Sequence, residues 1–215
     1  MDDFPMSKRL ELHAVWVKTL GADGIRLDLA GDDMRGMQLR NASLVGAKLC
    51  DTDFRHANLS HINFTGADLA GADLRGANLE GADFAAASLK GIRLRSANLR
   101  KANLPRAQLR YSDLRGAILI EANLTEADLM SANLKGVNMS AATLRAANLD
   151  GANLSNAQLM RADLSYAQLL GTNFRGALFD KETTFRHATI NTDTFLHVDL
   201  SVVRNENLPA TLCTR

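Results

Sequence analysis

Five histidines, two cysteines and a dense set of carboxylates are the residues of this chain whose types permit chemistry. Paired carboxylates would serve acid–base catalysis, a His/Cys cluster would hold a metal, and a thiolate of lowered pKa would act as a nucleophile. Spacing argues against each. Asp68, Asp73 and Asp83 occupy the place in a repeating unit that Asn58, Asn78 and Asn98 occupy elsewhere, so the slot itself accounts for them. His56 and His61 fall on two successive corners of that repeat and should point in different directions, which predicts no metal site. Cys50 should be an idle surface thiol. The glycines follow a five-residue rhythm and not a G-x-G-x-x-G turn before a helix, and no Ser-His-Asp set or Cys–His pair stands out. The expectation is therefore no catalytic residue, no cofactor and no enzyme.

The elements that position these residues are read from one stretch, GADLAGADLRGANLEGADF, which runs from Gly66 to Phe84. From Leu29 to Phe179 every fifth residue is Leu, Phe or Met, thirty-one centres with no insertion. A helix would rotate such a set through all its faces, and a long strand would flip alternate centres to opposite sides. A short extended piece followed by a corner satisfies the pattern. The centre and the residue two before it, usually Ala as at Ala67, Ala72, Ala77 and Ala82, then both point inward. The residue between them is outward and is mostly Asn or Asp, which can bond neighbouring main chain. Glycine two places after the centre suits the corner.

These tandem A(D/N)LxG units closely resemble the pentapeptide-repeat family over about residues 27–200. The resemblance implies an all-β solenoid, a right-handed quadrilateral β-helix with four units, hence twenty residues, in each coil. After Phe179 the stretch DKETTF inserts one residue, and Phe185, Ile190, Phe195 and Leu200 resume as weaker centres. The expected organisation is an N-terminal helical cap over 1–26, a β-helix over 27–203 and a C-terminal tail or cap over 204–215. About nine coils at ~4.8 Å each make a stiff rod of about 40 Å. Both ends of a solenoid expose core and unpaired backbone, so each needs cover. Ser7 to Gly24 reads as an amphipathic helix with Ser7 as N-cap, Leu10, Val15 or Val17 and Leu20 on its apolar face, Trp16 nearby and Gly21 as the stop. The tail either caps the far end or mediates a homodimer.

Composition narrows the setting. The formal charge is +1, so the chain as a whole has no pull toward nucleic acid or anionic membrane. Cys50 and Cys213 lie near opposite ends of the array, which argues against a mutual bridge and for a reducing compartment. No transmembrane segment and no signal-peptide core are evident, so the expected location is the cytoplasm, with a leaderless secreted effector as the minor alternative.

Two surfaces stand out. Arg35, Arg55, Arg75, Arg95, Arg115, Lys135 and Arg175 follow their centres at multiples of twenty, broken by Ser155, and form a basic ladder on one face that could track a phosphate backbone or an acidic partner. Asp33, Asp53, Asp73 and Asp113 sit two residues before four of them, so internal pairing is the competing reading. The second is apolar: Ile118, Ile120, Met130, Met160, Leu170 and Leu178 fill slots that are polar elsewhere, in two weak patches with Ile120 and Met160 on one face and Met130 and Leu170 on the opposite one, and with Tyr111 and Tyr166 at corners. The expected function is a non-enzymatic scaffold that binds another macromolecule, a protein above all, through the faces of a rigid rod. The resemblance also implies a DNA mimic that protects DNA gyrase or topoisomerase from inhibitors, although those relatives are strongly acidic and often carry loops, and this array has neither feature.

Overall fold

The computed structural model describes residues 4–191, 193–195, 198–210 and 212. After a single N-terminal helix the chain winds as a β-solenoid. The outward residue of each unit forms a one-residue parallel bridge with the residue twenty positions on, beginning Asp28–Lys48, Asp33–Asp53, Gln38–Asn58 and Ser43–Asn63. These four ladders define sides one to four. All thirty-one centres from Leu29 to Phe179 are buried, and from Ala47 to Thr172 the residues two before them are buried as well. Period-two alternation over three residues accounts for both inward positions. Where Thr replaces Ala, its hydroxyl bonds a carbonyl of the preceding coil, as Thr52 does with Leu29 (2.8 Å) and Thr172 with Leu149 (2.8 Å).

Each corner is a turn closed by a bond from the residue three after the centre to the centre's carbonyl, such as Ala47 N to Leu44 O (3.0 Å). Its third residue has positive φ, as a type II turn requires. Glycine supplies many of these corners, yet among the described residues eighteen corners hold a side chain at positive φ, from Asn41 to His187. An L-residue in that region costs about 1–2 kcal/mol. The stack enforces it, because the corner amides as far as Tyr166 bond the next coil, as His56 N does with Arg75 O (3.1 Å).

The inserted residue after Phe179 moves the ladder to a spacing of twenty-one, at Asp163–Thr184 and Gln168–Thr189. Asp180 absorbs the slip: its carboxylate accepts from the amides of Arg161, Glu182 and Thr183 (2.9–3.0 Å). Beyond it Phe174, Phe179, Phe185 and Phe195 pack as one aromatic group with centroids 5.1–6.0 Å apart. The tail then crosses the last coil through a 3-10 turn, Asn205–Asn207, where Asn207 O accepts from Phe185 N (2.6 Å) and Glu206 O from Arg186 Nε (2.7 Å).

The N-terminal helix, α1 (Met6–Lys18), corrects several details of the sequence reading. Its N-cap is Pro5, with no side-chain cap bond, so Ser7 is already inside it. It ends one residue earlier than a Gly21 stop implies: Leu20 takes the left-handed position (φ 55°), while Leu20 N bonds Val17 O and Gly21 N bonds Trp16 O, a Schellman closure. The face against the first coil is mixed: Met6 and Leu10 are half-buried against the core, as the apolar reading of Leu10 expects, but polar side chains go deeper. Val15 and Leu20 are exposed, and the buried residues of the helix are Arg9 and His13. The physical reason is that the first coil has no coil beneath it and presents unpaired backbone groups. Arg9 Nη2 donates to Asp28 O (2.6 Å), Leu27 N donates to His13 Nδ1 (3.1 Å), and Ile25 N bonds Leu12 O (3.1 Å). Trp16 stacks on His13 (5.6 Å) and lies under the Arg26 guanidinium (5.7 Å).

This seating depends on neutral His13. Burial pushes its pKa below the ordinary value, the Val45 carbonyl opposes that shift, and Arg26 adds to it. The nearby ionised groups are Arg9 on the same helix, with Asp32 beside it (3.6 Å), and Arg26 on the first coil. The lone pair on Nδ1 that accepts from Leu27 is lost on protonation. Because the folded pKa is lowered, the stabilisation is complete above about pH 6.5 and is lost progressively as pH falls below that value toward the folded one. Trp16 is the only tryptophan. Its emission should therefore change on acidification from pH 8 to 5 and become pH-independent in His13→Phe; a flat wild-type profile would refute the dependence.

Candidate interaction surface

Side two carries the basic ladder, and the structure divides it. Arg35, Arg55, Arg75 and Arg115 each turn back onto the Asp two residues earlier, with guanidinium–carboxylate distances of 2.5, 2.7, 2.6 and 2.6 Å. In each pair Nε and Nη2 both reach the carboxylate, and the same Asp accepts the Arg backbone amide (3.1–3.3 Å). The Arg35 guanidinium holds the Asp33 pKa down at about 2. That of Asp113 is lowered chiefly by Arg115, while at Asp73 burial opposes the lowering and the bonds to Arg75 prevail. Pairs this exposed contribute little stability. What they do is fix each guanidinium and occupy its donors.

The other cations of that face stand apart. Arg93 occupies a slot that holds Asp on the coils to either side, and reaches Asp73 only at 3.7 Å. Arg95, Lys135 and Arg175 are exposed and form no ion pair among the described residues. Spacing of two between Asp and Arg made the paired group legible from sequence. The division was legible too, since Arg93, Asn133 and Asn173 precede Arg95, Lys135 and Arg175 where Asp precedes the other four.

The apolar residues do not gather into one surface. Ile118, Leu170 and Leu178 are exposed, whereas Ile120, Met130 and Met160 are only half-exposed. Met130 is further covered by Arg110, whose Nη2 lies 2.9 Å from its sulfur. Ile118 and Leu178 lie on side three, sixty residues apart with Asn138 and Gln158 between them, while Leu170 lies on side one. Tyr111 and Tyr166 are exposed corners; the Tyr166 ring stacks on His187 (4.8 Å) and has the Arg145 guanidinium over it (5.4 Å).

Elsewhere the chemistry-capable residues serve the stack. His56 and His61 are exposed corners that lean over Gly76 and Gly81. Among the described residues no group of His, Cys, Asp and Glu is placed to hold a metal ion. Cys50 is a half-buried free thiol, pushed up to about 11 by burial first and by its contact with Asp68 second, which removes the thiolate its reactivity would need. Cys213 lies outside the described residues. No helix is long and apolar enough to cross a membrane among those described.

A sequence profile described as pentapeptide repeats matches the chain in eight copies, over residues 26–55, 50–84, 77–116, 107–145 and 142–180. No curated protein sequence matches. Similar solved structures include full-length QnrB1, a plasmid-mediated fluoroquinolone resistance protein, at 18% identity over 87% of this chain and 95% of that one, TM-score 0.39. HetL of the cyanobacterium Nostoc sp. strain PCC 7120, a pentapeptide repeat protein involved in heterocyst differentiation regulation, is 28% identical over 82% and 92%, TM-score 0.27. A pentapeptide repeat protein of the Arabidopsis thaliana thylakoid lumen is 22% identical over 81% of each chain, TM-score 0.31.

Proposed function

Because the chain belongs to the pentapeptide-repeat family, we propose that it is a non-enzymatic rigid scaffold that binds a protein partner through the sides of its solenoid. The observation that carries this reading is the bridge pattern: each outward residue from Asp28 to Gln168 is tied to the one a coil away, so side-chain positions on a side are set by the backbone and not by mobile loops. Recognition by such a side loses little conformational entropy on binding. The proposal includes the organisation expected from sequence: a cap over 1–26, a right-handed quadrilateral β-helix of about nine coils over 27–203, and a tail over 204–215 that closes the far end.

Charge argues against a DNA mimic. Over the two outward slots of each unit, side two carries eight basic and four acidic residues, side one three and four, and sides three and four two and two. A surface resembling duplex DNA needs a continuous acidic face, and none of these supplies one.

The test is a pull-down with tagged full-length protein from lysate of the source organism at low and moderate salt, with captured proteins identified by mass spectrometry. A protein partner retained at moderate salt and lost on charge reversal along one side supports the scaffold. Capture of topoisomerase subunits would restore the mimic, and recovery of nucleic acid alone, released by moderate salt, would overturn a protein-binding role.

A further inference from the structure

Side two changes character partway along its length. Up to Asp73 and Arg75 its outward slots are three Asp–Arg pairs, neutral rung by rung. From Arg93 to Arg175 the same slots hold five basic residues and one acid, Asp113, which is taken up by Arg115. The nearest acids on neighbouring side one are also engaged: Asp128 pairs with Arg110 (2.9 Å), and Asp150 accepts the Leu170 amide (2.8 Å). Asp193 lines a hollow of about 270 Å³ beside Arg175 and marks the C-terminal limit of the stretch.

The remaining donors are regularly placed. Arg95, Lys135 and Arg175 are forty residues apart, two coils, hence about 10 Å along the axis at ~4.8 Å per coil. Between and beside them stand Asn133, Asn153 and Asn173. Each uses its Oδ1 to accept the amide two residues on (3.0–3.3 Å), which keeps the side chain on this face and leaves Nδ2 as its donor, and Asp193 meets this row only at its end, beside Asn173 and Arg175. Two of the flanking corners, Gly136 and Gly171, have nothing within 4 Å of a would-be Cβ, while Tyr111 and Asn156 stand higher at others.

The geometry points to this C-terminal half of side two as a docking track for an extended acidic segment of a partner protein, with a carboxylate at about every third residue. This rests on the scaffold reading above and names the chemistry of its partner. A polyproline II segment rises ~3.1 Å per residue and repeats every three, so acids three apart recur at about 9.3 Å on one face, in register with the three cations. Asparagine donors between the cations suit the carbonyls of such a segment, whose backbone has no internal hydrogen bonds. A nucleic-acid strand in a duplex carries a phosphate every ~3.4 Å of axis, and cations 10 Å apart would leave most of those charges unanswered.

The experiment is a fluorescence-anisotropy titration of the full chain, at low salt, with a labelled peptide of repeating Glu-Pro-Pro. The comparison ligands are a peptide of equal charge with its acids clustered at one end and a single-stranded oligonucleotide. The spaced peptide should bind best and weaken as salt rises. Lys135→Glu with Arg175→Glu should weaken it roughly tenfold or more, and Arg35→Gln on the neutral half should leave it unchanged, with melting midpoints checked for all variants. Equal binding by the double variant, preference for the clustered peptide or the oligonucleotide, or no binding to the spaced peptide would overturn the assignment. A protein captured from lysate that the double variant still retains leaves the scaffold standing and removes this track; spaced-peptide binding with no partner in any lysate does the reverse.

Discussion

Phe64→Ala is expected to lower the midpoint of thermal unfolding by about 6–20 °C, from a loss of ~3–5 kcal/mol spread over a chain of this length. Phe64 is fully buried, stacks on Phe84 at 5.1 Å and meets Phe54 edge-on at 6.4 Å. The cost should lie at the upper end, because the coil cannot collapse into the space. Leu44 N bonds Asn63 O on one side, and Phe64 N bonds Asp83 O on the other, both at 2.7 Å. These bonds hold the coils at fixed spacing whatever fills the interior. Calorimetry checks it, with Leu39→Ala on the first coil as the comparison, since Leu39 lies where the core is less enclosed and should cost less. A fall of less than about 3 °C for Phe64→Ala would mean that the coils close on the void.

Gly24→Ala should unseat the helix while the solenoid persists. Gly24 has φ of 79°, and a Cβ there would run into the backbone at Leu12 O and Trp16 N, neither of which can swing aside. The chain must shift at the point where Ile25 N bonds Leu12 O, so the polar contacts of Arg9 and His13 with the first coil are lost together. The expected result is about 3 kcal/mol or more of local stability, seen as altered Trp16 emission and faster amide exchange at Leu27. Gly66→Ala is the control: its φ is 61° but nothing lies within 4 Å, so only the left-handed backbone penalty of about 1–2 kcal/mol applies. Equal effects at the two glycines would show that helix seating is not what Gly24 protects.

The solenoid was legible because its signal repeats. One five-residue unit is ambiguous, but thirty-one in phase leave a single arrangement that buries every centre, and the Phe64–Phe84 stack follows from their spacing of twenty. The helix was half-legible: Leu10 does pack on the core, but hydropathy assumes that what a helix covers is apolar throughout. The first coil instead offers the Leu27 amide and the Asp28 carbonyl, and only side chains such as His13 and Arg9 can answer them. The corners were half-legible. Glycine marked some of them, but nothing local reveals that Tyr111, Glu121 or Arg161 would be held at positive φ by the coil above. For the apolar slots, the sequence places Met130 outward but does not tell that Arg110 lies on it.

The corner side chains have one more consequence. His56 leans into the space over Gly76, His61 over Gly81, Asp51 over Gly71 and Asn156 over Gly176, each toward the C-terminal neighbour. They overlap like roof tiles, and a tile laid in one direction cannot be relaid in the other. Where two bulky corners stack instead, they are matched: Arg106 meets Glu126 (2.7 Å), Lys101 meets Glu121 (3.9 Å) and Tyr166 lies against His187 (4.8 Å). A turn duplicated in tandem would set each corner over its own copy, like charge on like charge, so growth of this rod by gene duplication would have to be followed by substitutions that restore the match.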